Sequence, residues 1–256
     1  MVLPPAIASL VAGGQLERMD IGCTPASVFK ITSVGQPTIF LKSALLTQRT
    51  NLSDEAERLN WLQGKLTVPR VLSFLVYEGW EHLLTTGLPG INGVDAGHQN
   101  PEGVVSRLAE ALARLHAQSA QDCPFDEGLR VRLEQARIRL REGLVDVTDF
   151  DEERRGRTAL EVWRELEAYE PIAETPVLTH GDACLPNVIF DGALVCGFVD
   201  CGRAGVADAY QDLALASRSI SDTLGHQWVD PFFKAYGLDA PDGRKLGFYR
   251  LLDEFF

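Results

Sequence analysis

Between residues 180 and 200 the chain reads His180-Gly181-Asp182-Ala183-Cys184-Leu185-Pro186-Asn187, then the apolar run Val188 to Phe190, then Asp191-Gly192, then a second apolar run from Leu194 to Val199 that ends on Asp200. Asp-Gly between two apolar runs is a strong hairpin signal, because both turn positions take a positive φ that Asn, Asp and Gly tolerate. A hairpin here restricts the fold sharply. In an antiparallel pair the start of the first strand and the end of the second lie side by side, so Asn187 and Asp200 are expected at one open end, with Asp182 in the loop just before them.

Phosphoryl transfer from a nucleotide needs metal ions bridging the phosphates, hard oxygen ligands for those ions, and a carboxylate that orients or deprotonates the acceptor hydroxyl. Asn187 and Asp200 supply ligands for magnesium, and Asp182 supplies the base. Protein kinases show the same order: H-R-D, an Asn five residues on, then a D-F-G aspartate after a hairpin. Here Gly181 stands in place of the Arg and Cys201-Gly202 follows Asp200. A lone H-x-D carries little, since a loop Asp is most often a turn former or helix cap. Three roles in order around a hairpin carry the kinase-like reading.

The chain has 256 residues, 45% of them hydrophobic, enough for a sizeable core in one domain or two closely packed lobes. No run of about 18 apolar residues and no basic-then-apolar leader is present, so the expectation is a cytoplasmic protein without a membrane partner. The five cysteines, Cys23, Cys123, Cys184, Cys196 and Cys201, are scattered without a C-x-x-C pair. They read as small buried residues, not as a disulfide framework or zinc site. The net charge of −12 repels nucleic acid and favours polycationic ligands.

A coarse pass predicts an α+β, two-lobed protein-kinase-like fold. Its first part is an antiparallel sheet with one helix. Ser27 to Ile31, Thr38 to Lys42, Val71 to Tyr77 and Glu81 to Leu84 read as strands, with Gly35-Gln36-Pro37 as a turn. Ser53 is expected to cap the helix, with Asp54 and Glu55 in its first turn and Leu52, Ala56, Leu59 and Leu62 as its apolar stripe. The second part is mainly helical. Val104, Leu108, Ala111 and Leu115 recur at helical spacing, as do Leu129, Leu133, Ala136 and Leu140, and Thr158 with Glu161 forms a capping box. Gly87 and Pro89-Gly90 place the hinge between a nucleotide-binding lobe, 1–87, and a catalytic and acceptor-binding lobe, 88–256. Lys42 ends the run Ile39-Phe40-Leu41-Lys42, where a lysine either protects a sheet edge or presents its ammonium to nucleotide phosphates. His116 and His180 read as hydrogen-bonded structural residues.

Four stretches carry a specific resemblance: His180 to Asn187, the run Gly197-Phe198-Val199-Asp200-Cys201-Gly202-Arg203-Ala204-Gly205-Val206-Ala207-Asp208, then Tyr210-Gln211-Asp212-Leu213-Ala214, and Tyr249 to Phe256. Together they resemble the aminoglycoside 3'-phosphotransferases, bacterial kanamycin and neomycin resistance kinases. The H-G-D motif alone is shared with choline, homoserine and macrolide kinases; the C-G-R-x-G-x-A-D run and the Asp-Glu-x-Phe ending narrow the match. The resemblance implies ATP, or GTP, as phosphoryl donor with Mg2+, a cationic aminoglycoside as acceptor, and a monomer or weak dimer. It pairs Lys42 with Glu55, adjacent Asp54 being the alternative. It puts Thr24 and nearby amides of Gly22 to Ser27 on the β-phosphate and the hinge backbone from Thr86 to Leu88 on the adenine edge. Phe40 is either a stacking partner for the adenine or a plain core aromatic. For the acceptor it implies Asp151, Glu152, Arg203, Arg218, Asp222, Asp253, Glu254 and the carboxylate of Phe256. Ser219 stands where related kinases commonly carry an aspartate. Two other readings stay open beside this one: a kinase for a small alcohol such as choline, and a nucleotide-binding module without catalysis.

Overall fold

The computed structural model describes residues 3–19, 26–46, 52–169, 172–192 and 194–256. They form two compact units, one of Met1–Gly90 with Cys196–Gly202, the other of Ile91–Val195 with Arg203–Phe256.

In the first unit a short helix, α1 (Pro5–Leu10), precedes strands β1 (Gln15–Met19), β2 (Ser27–Thr32) and β3 (Ile39–Leu45), helix α2 (Leu52–Leu62), and strands β4 (Val71–Tyr77) and β5 (Trp80–Thr86). The antiparallel sheet runs β1-β2-β3-β5-β4. Alternation along β3 divides its faces. Leu41 packs with Ile31, Leu84, Ile7 and Val11, which puts α1 on one side. Its neighbour Lys42 reaches Glu55 of α2 on the other. α2 buries the predicted Leu52, Ala56, Leu59 and Leu62.

Two local expectations are corrected here. Lys42 does not end its strand: β3 continues to Leu45 and lies between β2 and β5, so Lys42 is mid-sheet and has no edge to protect. Ser53 is not the cap of α2. It lies inside the helix, and the Leu52 amide is taken by the buried Glu81 carboxylate of β5, 3.0 Å away. Sequence reading also missed α1 and β1. β1 alternates poorly and shows four exposed residues in five, so no apolar period announces it.

The second unit opens with β6 (Ile91–Asn92), α3 (Gly93–Gln99), α4 (Pro101–His116), α5 (Leu129–Arg141) and α6 (Ala159–Glu167). Then come β7 (Pro176–Thr179), β8 (Val188–Asp191), β9 (Leu194–Phe198), β10 (Gly205–Asp208), α7 (Tyr210–Leu224), α8 (Val229–Tyr236) and α9 (Gly243–Asp253). β10 pairs antiparallel with β7, and a second small sheet has the order β6-β8-β9. The hairpin forms where expected, but of the Asp-Gly pair only Gly192 takes the positive φ, +59°; Asp191 stays in β8 with a negative φ, so the turn falls one residue later than the Asp-Gly signal placed it. α4 buries Val104, Leu108, Ala111 and Leu115 as its spacing demands. The Thr158–Glu161 capping box is present, with the Thr158 amide donating to Glu161 Oε2 at 2.8 Å. α5 departs from its stripe: Leu133 and Leu140 are half-buried, whereas Arg132 is buried. No described helix is long and apolar enough to cross a membrane.

Candidate active site

In the first unit Lys42, Glu55 and Asp200 converge. Lys42 Nζ donates to both Glu55 oxygens at 2.8 and 2.9 Å and to Asp200 Oδ1 at 3.0 Å. Glu55 is buried because it stands on the first turn of α2 facing the sheet, and it, not Asp54, is the partner. Burial by itself would lower the Lys42 pKa; the two carboxylates reverse this and hold the ammonium above the ordinary lysine range. Asp200 has φ +59°, an uncommon conformation for a side chain other than Asn, Asp or Gly. Such strain is held where the surroundings determine it, and the Lys42 contact is one such determinant.

At the hinge, Phe40 packs its ring beside Gly87: a Cβ built on that glycine would stand 3.0 Å from it. The Thr86 amide donates to Arg70 O at 2.9 Å and the Gly87 amide to Thr38 O at 2.8 Å. Neither amide is therefore left to read a purine edge. Thr24 lies outside the described residues, as do Gly22, Cys23 and Pro25 of the expected phosphate flap.

In the second unit the loop from His180 to Asn187 is fixed from below by Asp212. This fully buried carboxylate accepts the His180 amide at 2.8 Å, the Gly181 amide at 2.7 Å and His116 Nε2 at 3.0 Å. His116 Nδ1 in turn meets Tyr236 Oη at 2.7 Å. Burial would raise the Asp212 pKa, but His116, His180 and these hydrogen bonds pull it below the usual carboxylate range. Both histidines are thus structural, as their sequence context implied. Asp212 was not singled out from sequence; its signal is a carboxylate beside Leu213-Ala214 in the mainly apolar buried part of α7.

Above that anchor, Asn187 Nδ2 donates to Asp182 Oδ2 at 3.0 Å and to the Asp182 carbonyl at 3.1 Å. Both bonds use the amide's NH2 end. The Asn187 carbonyl oxygen is a hard donor of the kind Mg2+ takes, and so, in the first unit, is the Asp200 carboxylate. Gly181 has φ +85°, and a Cβ there would fall 2.1 Å from Arg203 O, which explains why Gly fills this position. Burial pushes the Cys184 thiol well up, and the Asp182 carboxylate adds to the effect, so Cys184 is no nucleophile.

The acidic residues of the acceptor group do not stand as bare carboxylates. Asp253 is bound by Arg203 Nη1 at 2.9 Å and by Arg218. Burial would raise its pKa, and the arginines bring it below the usual range. Asp151 and Glu254 meet through the Asp151 amide, 3.3 Å from Glu254 Oε2, and both face Arg154. Burial first and the Asp151 carboxylate second push the Glu254 carboxyl up to about 8. Glu152 and Asp222 are exposed. The Phe256 ring lies 3.5 Å under the Arg132 guanidinium, and Phe255 is buried against Trp163. These contacts, with Leu251, Leu252 and Phe255 buried, dock the last turn. Ser219 accepts the Leu185 amide at 3.0 Å, a role in the loop that sequence reading did not assign.

A model of the phosphotransferase enzyme family matches residues 16–249. The chain is 38% identical to an aminoglycoside 3'-phosphotransferase of Salmonella typhimurium, covering 95% of this chain and 91% of that one. It is 36% identical to one of Niallia circulans, at 99% and 97%. Among solved structures, aminoglycoside-3'-phosphotransferase of type VIII superposes with a TM-score of 0.89 at 35% identity, covering 98% of this chain and 97% of that one. The aminoglycoside phosphotransferase APH(3'')-Id of Streptomyces rimosus follows at 0.86 and 30%, covering 97% and 95%. The same S. rimosus protein is also solved with ADP and streptomycin. With a kinase-like lysine–carboxylate cluster, an anchored H-G-D loop and a family match across nearly all its length, this chain belongs to the phosphotransferase enzyme family.

Proposed function

We propose that the protein moves the γ-phosphoryl group of ATP, with GTP also admitted, to the 3'-hydroxyl of kanamycin- and neomycin-type aminoglycosides, and thereby confers resistance on the bacterium that carries it. The observation behind this reading is the fixed Asp182–Asn187 pair in a chain whose full-length relatives are named aminoglycoside 3'-phosphotransferases.

Asp182 accepts a hydrogen bond from the acceptor hydroxyl, orients its lone pair toward phosphorus, and takes the proton as the bond to phosphorus forms. Asn187 keeps the Asp182 carboxylate in one rotamer, and Asp212 keeps the loop backbone in place, so little reorganisation remains at the moment of transfer. Lys42, held by Glu55, positions the α- and β-phosphates. Asn187 and Asp200 would hold Mg2+, which when bound offsets the charge of the phosphate oxygens. Thr24 with its neighbouring amides, Phe40, and the Thr86 to Leu88 backbone complete the nucleotide site in lobe 1–87. Asp151, Glu152, Arg203, Arg218, Asp222, Asp253, Glu254 and Phe256 shape the acceptor side in lobe 88–256. The enzyme works in the cytoplasm as a monomer or weak dimer.

The test is a transfer assay with kanamycin, neomycin, amikacin, streptomycin and choline, with product mapping by NMR. Phosphorus on the 3'-oxygen of kanamycin is the expected result. Equal turnover of tobramycin, which lacks a 3'-hydroxyl, or transfer to streptomycin or choline alone, would overturn it.

A further inference from the structure

Arg154 sits inside the acidic group on the acceptor side with only 7% of its side chain exposed. Its Nη1 pairs with Asp151 Oδ2 and lies 3.6 Å from Glu254 Oε1, and its Nη2 is 3.8 Å from Glu165 Oε1. The exposed Glu153 carboxylate is 3.7 Å away. The Arg154 amide also donates to Asp151 Oδ1, at 3.1 Å, which folds this turn back on itself. Every ion-pair partner among the described residues is a carboxylate, and Nε is buried with no acceptor at all. The nearest of these partners is Asp151.

An acceptor ammonium would seek those same oxygens. A cation tethered three residues from Asp151 gives up no translational freedom to bind it, whereas a free substrate does, so the tethered one has the advantage at equal contact quality. The two carboxylates are also unequal: Asp151 is one-fifth exposed and Glu254 only 3%. Of these two, Asp151 is the one an amine can reach, and it is where Arg154 makes its shortest pair.

We propose that Arg154 is a specificity-determining residue, a resident cation that competes with the acceptor's ammonium groups for the Asp151 carboxylate and so limits how many amine contacts a substrate gains there. This rests on the aminoglycoside reading above and deepens it. It makes Glu152 and Asp222, which are exposed, the first carboxylates a substrate amine meets.

The test uses the full chain and compares wild type with Arg154→Gln by calorimetric titration with kanamycin A and neomycin B, alongside the nucleotide KM and the melting temperature. The expected result is about tenfold tighter aminoglycoside binding in R154Q, one ion pair gained, with the nucleotide KM unchanged. A scaffolding arginine predicts the opposite sign, so unchanged or weaker binding in a folded R154Q overturns the proposal. Should R154Q not fold, Arg154→Lys replaces it, since lysine keeps the charge but not the fork that spans both carboxylates. There, at least threefold tighter binding supports the idea and unchanged or weaker binding sinks it. A wild-type protein that binds no aminoglycoside overturns the functional reading and this one together, and that outcome shows before any variant is compared.

Discussion

The Ser219 hydroxyl on α7 accepts the Leu185 backbone amide at 3.0 Å, so the helix that carries Arg218 and Asp222 also fastens the loop that carries Asp182. Leu185 is wholly buried, and its amide has little access to water if that oxygen is removed. Ser219→Ala should cost about 1–3 kcal/mol of stability, the range for a donor left without a partner. Thermal and urea unfolding measure this. A loss below a few tenths would show that the amide finds another acceptor.

Asp182 is the group assigned to the acceptor hydroxyl. Asp182→Ala is expected to lower kcat by about 100- to 10,000-fold, the span seen for a positioned acid or base, while the aminoglycoside Kd moves little. Asn187→Ala should also lower kcat, since the Asp182 carboxylate then loses its 3.0 Å donor. Wild-type turnover in purified D182A would remove Asp182 from the mechanism.

Lys42 and Glu55 act as a unit. Lys42→Met leaves Glu55 buried without its cation, and Glu55→Gln leaves Lys42 with Asp200 as its charged neighbour. Both variants should raise the nucleotide KM by roughly tenfold or more with little change in aminoglycoside affinity. Their effects should not add in the double variant, because one interaction is lost twice. Full additivity in steady-state kinetics would contradict the pairing.

Stability should fall from pH 6 to pH 8.5. Glu254 holds its proton up to about 8, against an ordinary value of 4.5, chiefly through burial and then the Asp151 carboxylate. The folded state binds that proton more tightly than the unfolded chain does. Its contribution is complete below about pH 4.5 and is lost as pH rises through about 8, on the order of 1 kcal/mol per pH unit at most. Asp212 and Asp253 are shifted the other way; their stabilisation is in place above the ordinary carboxylate range and disappears on acidification, outside this window. Glu254→Gln should flatten the decline measured by thermal unfolding. An unchanged slope would assign it to another group.

The parts of this site that local sequence dictates were legible without coordinates. Asp191-Gly192 predicts a hairpin because a local turn preference decides it, to within one residue, and Thr158 with Glu161 predicts a cap because both partners lie within one turn. Ser53 misled for the complementary reason: a serine before an apolar stripe is a good local cap, but the helix starts ahead of it, at Leu52, whose amide is held by Glu81, 29 residues beyond Leu52. Arg154 shows the same limit. Its local sequence gives no sign of Glu254, 103 residues beyond Asp151, which the end of α9 brings into hydrogen-bond range of the Asp151 amide. Asp212 was hidden by its apolar neighbours, and only the fold reveals three donors pointing at it.

The closeness of Gly181 to the Arg203 carbonyl bears on how this enzyme can evolve. A β-carbon at position 181 would stand 2.1 Å from a backbone oxygen, in a conformation side chains rarely adopt. No single substitution can then bring in the arginine that protein kinases carry at the corresponding place, because the segment around Arg203 must shift in the same step. Two stretches 22 residues apart have become one inherited character, and drift toward the other style of catalytic loop must pass through an intermediate whose backbone does not fit.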